Sequence, residues 1–567
     1  MKNLLLAAAL LLIGSARAQT VAPDLVLTGG KIFTSDPSRP YVQALAVRGD
    51  RVLAVGTTAQ IARLAGPRTR RINLRGRTVV PGFNDAHTHL PAGSPLGRFF
   101  RFPKAPMLAG PTSAQVLDTL AQLARRVPPG TWLEGEIGLA ALLDPQMRRT
   151  ELDQITANHP ILLHTPWGHG CVVNSVALQQ MHIADGDAAP LGGAYERYAG
   201  TRQLNGSLLE YGSWVPRREL HGQISDAVWV QQLKAYGAES LRFGITSVQE
   251  MAGTLPPAQT VRVVQAAQLP LRHRIMPYFM TSPQGINHQE WEGINRRPTP
   301  LARVEGRKYV LDATPLEGGA LMRRPYPGRP GWYGQLNFPV DTVRSLLRQS
   351  LGSSDQLMLH IVGDSTASLV LRLMGQLADD ATWQRKRVRF EHGDGLAPDL
   401  QPRAKAMGVV VVQNPSHFVA DMNREHGAAA DIPASFRSLL DGGIPFALGS
   451  DGPSNPFLNL LFAATLADPK EALTREQAVR AYTAGAAYAE FQEKEKGTLT
   501  PGKLADLAVL SQDIFTVPLP ALPGTVSELT MIGGKVVYEA KRGVPLSGTA
   551  PRPARKPMAP PAKPKLK

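Results

Sequence analysis

The chain has 567 residues, of which 43% are hydrophobic and 19% charged, and carries a formal net charge of +16. That balance excludes collagen-like, coiled-coil and wholly disordered chains, and the length allows a large apolar core. The single cysteine, Cys171, excludes both an internal disulfide framework and a cysteine-rich zinc module.

The chain opens with Met1-Lys2-Asn3, an apolar run from Leu4 to Ile13, and the small-residue stretch Ala16-Arg17-Ala18. These are the parts of a secretory signal, expected over residues 1–18 with cleavage after Ala18. Export to the periplasm or beyond follows. The run is shorter than the ~20 residues a membrane span needs, so no anchoring helix is expected here.

Residues 19–82 read as short strands separated by turns, among them Asp24–Thr28, Gly30–Phe33, Ala44–Val47, Arg51–Val55 and Thr78–Val80. Residues 495–545 have the same texture, with Ala505–Leu510 and Glu528–Tyr538. One small β-sandwich domain built from both flanks is therefore expected, interrupted by a central domain over 83–494.

The middle alternates apolar, β-rich runs with amphipathic helical stretches. Eight runs stand out: Gly82–Ala86, Ile245–Gln249, His273–Phe279, Arg307–Leu311, Gln356–His360, Arg387–Glu391, Val409–Gln413 and Pro445–Gly449. Parallel strands joined by crossover helices give an α/β fold, and eight units suggest a closed TIM-like (β/α)8 barrel. An open doubly wound sheet is the alternative, but no glycine fingerprint or phosphate-cradling loop supports it. Residues 95–240 are too long for a loop and read as an inserted cap over the barrel mouth. Residues 546–567 are basic and proline-rich, expected to be disordered, and offer a contact for anionic envelope components. No basic-aromatic run points to nucleic acid.

His87-Thr88-His89 follows the first run, and histidines at i and i+2 of a strand point to one side, so both can reach one metal. Further metal-type residues, Lys308, His360, His392 and Asp451, are read at the C-terminal ends of other proposed strands, where barrel chemistry concentrates. Each has a plain structural alternative, such as a helix cap for Asp451 or a snorkelling lysine at 308. Their joint recurrence favours a metal. Bound by neutral imidazoles and few anions, such an ion stays Lewis-acidic and lowers the pKa of water toward ~7. Asp451 is the candidate ligand and proton shuttle, while His417 and His169, the latter between Gly168 and Gly170, are candidate donors to a developing oxyanion. Asn174 and Glu210 are close enough in sequence to assist His169. Glu250 is expected to line the pocket or pair with an arginine, and Cys171 is read as a buried hydrophobe rather than a nucleophile.

At these residues the chain resembles the amidohydrolase superfamily, in its YtcJ-like and N-substituted formamide deformylase-like branch. The carriers are Pro81–His89, Gly168–Ser175, Gly244–Val248, His360–Asp364, Glu391-His392, Gln413–His417, Gly449–Asp451 and Gly497–Leu507. The resemblance implies that His87, His89 and Asp451 hold one divalent metal, usually zinc, and that His360 and His392 can hold a second. It also implies that Lys308 is carboxylated to bridge the pair, although the family's usual Asp-Gly after this lysine is here Asp312-Ala313. One metal or two both stay open. The implied activity is metal-dependent hydrolysis of a nonpeptide C–N bond, an amide or N-acyl or N-formyl group of a small molecule. Cyclic amides, lactones and esters are alternative substrates, and a noncatalytic envelope-binding protein with a relic barrel is the alternative class.

Overall fold

The computed structural model describes residues 22–89, 96–103, 105, 109–418 and 432–540. The expected signal peptide and basic tail lie outside them.

The eight apolar runs each contain a strand, in two parallel sheets. One sheet places Ala302–Val304, Arg272–Pro277, Ile245–Ala252 and Phe83–Thr88 side by side. The other orders Arg307–Val310, Leu357–Ile361, Arg389–His392, Val410–Gln413 and Phe446–Leu448. Runs such as Val409–Val412 are buried throughout, as strands covered on both faces must be. The covering helices show the matching period: Val340–Gly352 buries Val343, Leu346, Leu347 and Ser350 on one stripe.

The two sheets meet at both edges. At one, the chain between Ala302–Val304 and Arg307–Val310 bends through Gly306 at φ 104°, so each half pairs with a different sheet. A parallel bridge joins Tyr278 to Lys308 there. At the other edge, the Asp451 N–H donates to the His87 carbonyl at 2.9 Å and the Ser450 N–H to Asp85 Oδ1 at 2.8 Å.

Both flanks of the chain share one sheet, ordered Lys535–Glu539, Ser527–Ile532, Leu507–Leu510, Thr78–Pro81, Lys31–Phe33 and Tyr41–Val42. A second, four-stranded sheet joins Arg51–Gly56, Ala44–Arg48, Leu25–Thr28 and Arg70–Asn73. The apolar residues between them, including Leu27, Leu45, Ile72, Val79, Leu507 and Leu529, form their own cluster. Within 95–240 lies a further six-stranded sheet, running from Gly193–Arg197 through Leu204–Glu210, Gly170–Val173, Ile161–His164 and Trp132–Glu136 to Gly97–Phe100. Among the described residues no helix is long and apolar enough to cross a membrane.

Candidate metal centre

The first parallel strand runs two residues further than its apolar pattern indicates, so His87 lies inside it and His89 just beyond its end. His87 is buried, whereas the His89 side chain is 45% exposed. Asp451 follows the last strand and sits between two histidine pairs. Its Oδ1 lies 3.2 Å from His89 Nε2 and 3.7 Å from His87 Nε2, and its Oδ2 lies 3.4 Å from His417 Nε2 and 3.8 Å from His392 Nδ1. Among the described residues, two sets of potential ligand atoms each lie within 4.8 Å of one another: His87, His89 and Asp451, and His392, His417 and Asp451. The second set brings in His417, which the sequence pattern suggested only as a donor. His360 adjoins it, with its ring centroid 4.5 Å from that of His392.

Carboxylates and amides behind the rings fix their orientation. His87 Nδ1 pairs with Glu391 Oε2 at 2.7 Å, and Glu391 is itself bound by Arg389. His392 Nδ1 pairs with Asn414 Oδ1 at 2.9 Å. His360 Nδ1 lies 3.6 Å from Asp312 Oδ1, and Asp312 accepts the Val362 and Gly363 N–H groups and the Thr366 hydroxyl. Such outer carboxylates set ring tautomer and aim. Glu391, Asp312 and Asn414 orient these rings, and neither spacing nor residue type singled them out, because their partners are supplied by other strands.

Burial determines the charge states. It lowers His87 to about 4 and carries His360 and His392 well below the usual imidazole range, so these three are neutral at pH 7. Burial pushes Asp451 up, but His87, His417 and His89 outweigh it and hold the carboxyl well below its ordinary range. Burial likewise opposes charge on Glu391, and Arg389 and His87 outweigh it, leaving about 2. His417 is the reverse case: burial pulls it down, while hydrogen bonds to Asp394 and Asp451 raise it to about 10. Lys308 is buried in the second position of its strand, not at its end, and burial lowers its amine to about 8 against the pull of Glu391 and Asp451.

His169 reaches the site from just before the strand Gly170–Val173 of the six-stranded sheet, its ring centroid 5.1 Å from that of His360. Burial opposes its charge, but Glu210 outweighs burial and raises it to about 9. Asn174 does not assist it. Its side chain instead caps the helix Ser175–Gln180 through the Ala177 N–H and bonds Ile161 and His159. Glu250 pairs with His273 rather than with an arginine, because the register that sets Val248 beside His273 puts both side chains on one face of neighbouring parallel strands. Cys171 is buried, accepts the Ser213 hydroxyl at 3.2 Å, and has its thiol pKa raised by burial.

The approach of the first and last strands depends on Gly449, where a Cβ would meet the His87 nitrogen at 2.5 Å and its Cβ at 2.6 Å. Gly449→Ala is therefore expected to push the strand ends apart, with a cost of about 1–3 kcal/mol of stability and a loss of bound metal. Thermal unfolding and elemental analysis check this; a variant with the wild-type midpoint and metal content contradicts it.

A family model described as the amidohydrolase family matches residues 70–538. The N-substituted formamide deformylase of Arthrobacter pascens is 26% identical over 91% of this chain and 98% of its own length. The putative amidohydrolase YtcJ of Bacillus subtilis is 23% identical over 90% of this chain and 98% of its own. The crystal structure of an uncharacterized metal-dependent hydrolase from Pyrococcus furiosus superposes with a TM-score of 0.65 at 19% identity, covering 87% of this chain and all of that one.

Proposed function

The chain belongs to the amidohydrolase family, and from that premise we propose that it removes an acyl group, formyl in the first instance, from the nitrogen of a small molecule. It is a metal-dependent hydrolase acting on C–N bonds other than peptide bonds. The formyl specificity is drawn from the Arthrobacter deformylase, which this chain matches along nearly its whole length. We take the two parallel sheets as one closed (β/α)8 barrel, with the sheet of residues 95–240 as a cap over its mouth.

The observation that carries the reading is the bridging position of Asp451, one oxygen toward His87 and His89 and the other toward His392 and His417. The donor set fits a divalent metal such as zinc, since neutral imidazoles and one ionised carboxylate are the nitrogen and oxygen ligands that ion takes. His87, His89 and Asp451 would hold one ion, and His360 and His392 would take a second; bound there, it supplies the Lewis acidity that acidifies water and polarises a carbonyl. Asp451 takes the proton of the attacking water and passes it to the leaving nitrogen. His417, between Asp394 and Asp451, would serve as a donor to the developing oxyanion or as a ligand in the set it forms with His392 and Asp451. From the cap, His169 donates to the carbonyl oxygen as negative charge develops on it. Lys308, with its amine lowered to about 8, keeps a neutral fraction able to take up carbon dioxide as a carbamate.

The test is to express the protein in metal-rich medium, count its metals, and follow formate and amine release from a series of N-substituted formamides. About one or two equivalents of divalent metal are expected, lost together with turnover in the His87→Ala/His89→Ala variant. Absence of bound metal, with a thermal midpoint that chelator leaves unchanged, overturns the reading and favours a noncatalytic role.

A further inference from the structure

Glu210 ends the strand Leu204–Glu210 and immediately precedes the helix Tyr211–Gly222, at the seam between the cap and the parallel sheet that carries Lys308. Its backbone is unusual for a residue with a side chain, at φ 50° and ψ −130°. A conformation of this kind persists only where its surroundings over-determine it. Here they do. The Glu210 N–H donates to the His169 carbonyl at 3.2 Å, and its Oε1 holds His169 Nδ1 at 2.7 Å, so one residue grips both the backbone and the ring of the other. Its Oε2 accepts the Asn337 side-chain amide at 2.9 Å. That amide also reaches the Val310 carbonyl at 3.3 Å, and the Asn337 N–H donates to the Leu311 carbonyl at 2.7 Å. The next residue, Tyr211, accepts the Val310 N–H on its hydroxyl at 3.2 Å.

We propose that Glu210 is a positioning residue for catalysis: it locks the His169 ring, with Nε2 on the free edge, at a fixed place relative to the strand Arg307–Val310 and to His360. The inference rests on the hydrolase reading above and deepens it, since the cap then supplies an aimed donor and not only a cover. Two further contacts agree with a locked ring. Trp214 packs edge-on against it at 5.4 Å, and that indole is itself tied to the Gly168 carbonyl at 2.8 Å. A carboxylate bonded to Nδ1 selects the ring edge presented to the site, as outer carboxylates do for ligating histidines, where their loss commonly costs about 10–100-fold in activity.

The test compares Glu210→Ala, Glu210→Gln and His169→Gln in the full-length, metal-loaded protein labelled with [15N]histidine. A hydrogen-bonded Nδ1–H resonance lost in His169→Gln identifies the ring. It is expected to vanish in Glu210→Ala and to persist, shifted, in Glu210→Gln, whose amide oxygen can still accept. With an N-substituted formamide as substrate, kcat is expected to fall about 10–100-fold in Glu210→Ala with little change in KM and unchanged metal content, and Glu210→Gln is expected to recover most of the loss. An Nδ1–H resonance surviving in Glu210→Ala, or glutamine performing no better than alanine, overturns the proposal. Should the wild type release no formate from any formamide, the substrate reading fails, while the resonance, which needs no substrate, still decides the role of Glu210.

Discussion

Asp451→Asn is expected to abolish turnover and most metal binding while leaving the fold intact. The choice of asparagine matters, because Asp451 sits at φ 41° and asparagine is among the few side chains that tolerate the left-handed region. Alanine there would mix backbone strain with lost chemistry. The amide keeps the shape of the carboxylate and the N–H bond to the His87 carbonyl, but removes the one anion that faces both histidine pairs. Loss of a positioned acid or base typically costs 10²–10⁴-fold in rate, and loss of a ligand adds to this, so a fall of at least about 10³-fold in kcat is expected. Elemental analysis should show less metal than the wild type, with the thermal midpoint of the metal-free forms similar. Turnover within tenfold of the wild type would mean that Asp451 is neither ligand nor proton carrier, and the assignment of the centre would fail with it.

Why Asp451 was legible from sequence, and its supporting residues were not, is a matter of distance along the chain. The pair His87 and His89 is read from strand periodicity, and the apolar runs before His360, His392 and Asp451 place those residues by the same rule. Periodicity tells which way a side chain points but not what it meets. Glu391 meets His87 across 304 residues of sequence, and no local pattern encodes that pairing. Glu210, expected as a candidate to assist His169, does pair with it, across 41 residues. Asn174, only five residues from His169, instead satisfies a helix terminus, which is what a buried asparagine before a helix most readily does. Lys308 marks a limit of residue type as a guide: the run Arg307–Leu311 starts one residue before it, so the lysine falls at the second residue of the strand and not at its C-terminal end. Glu250 and His273 show a further limit, since alternation sends both to the outer face of their strands, away from the inward-pointing Arg389 that binds Gln249.

Glu490→Gln should give the largest loss of stability, through a buried network at the opposite end of the strands from the metal centre. Glu490 is 3% exposed and follows the short helix Ala486–Ala489. Its Oε1 accepts from Asn84 at 2.7 Å and lies 2.8 Å from Lys496 Nζ, and its Oε2 is bound by Arg303. Lys496 also donates to Ser247 at 2.6 Å, so strands one and two are tied to the C-terminal segment through this carboxylate. An amide of the same size takes the carboxylate from Lys496 and leaves Arg303 with Glu305 alone, and breaking such a buried pair from one side costs about 3–5 kcal/mol. The pH dependence gives the signature. Burial opposes the charge on Glu490, but Lys496, Arg303 and Arg274 outweigh it and hold the carboxyl at about 2. A depressed carboxyl contributes its stability in full above its unfolded value of about 4.3, and loses it as pH falls toward the folded value. The gap between wild type and Glu490→Gln in denaturant midpoint should therefore be wide at pH 7 and close progressively from about pH 4.5 toward 2. A gap that does not change over that interval would show that the glutamine acts by packing alone. Because Asn84 stands three residues before His87 on one strand, the same variant should also weaken metal retention, linking the charged floor of the sheet to the centre at its far end.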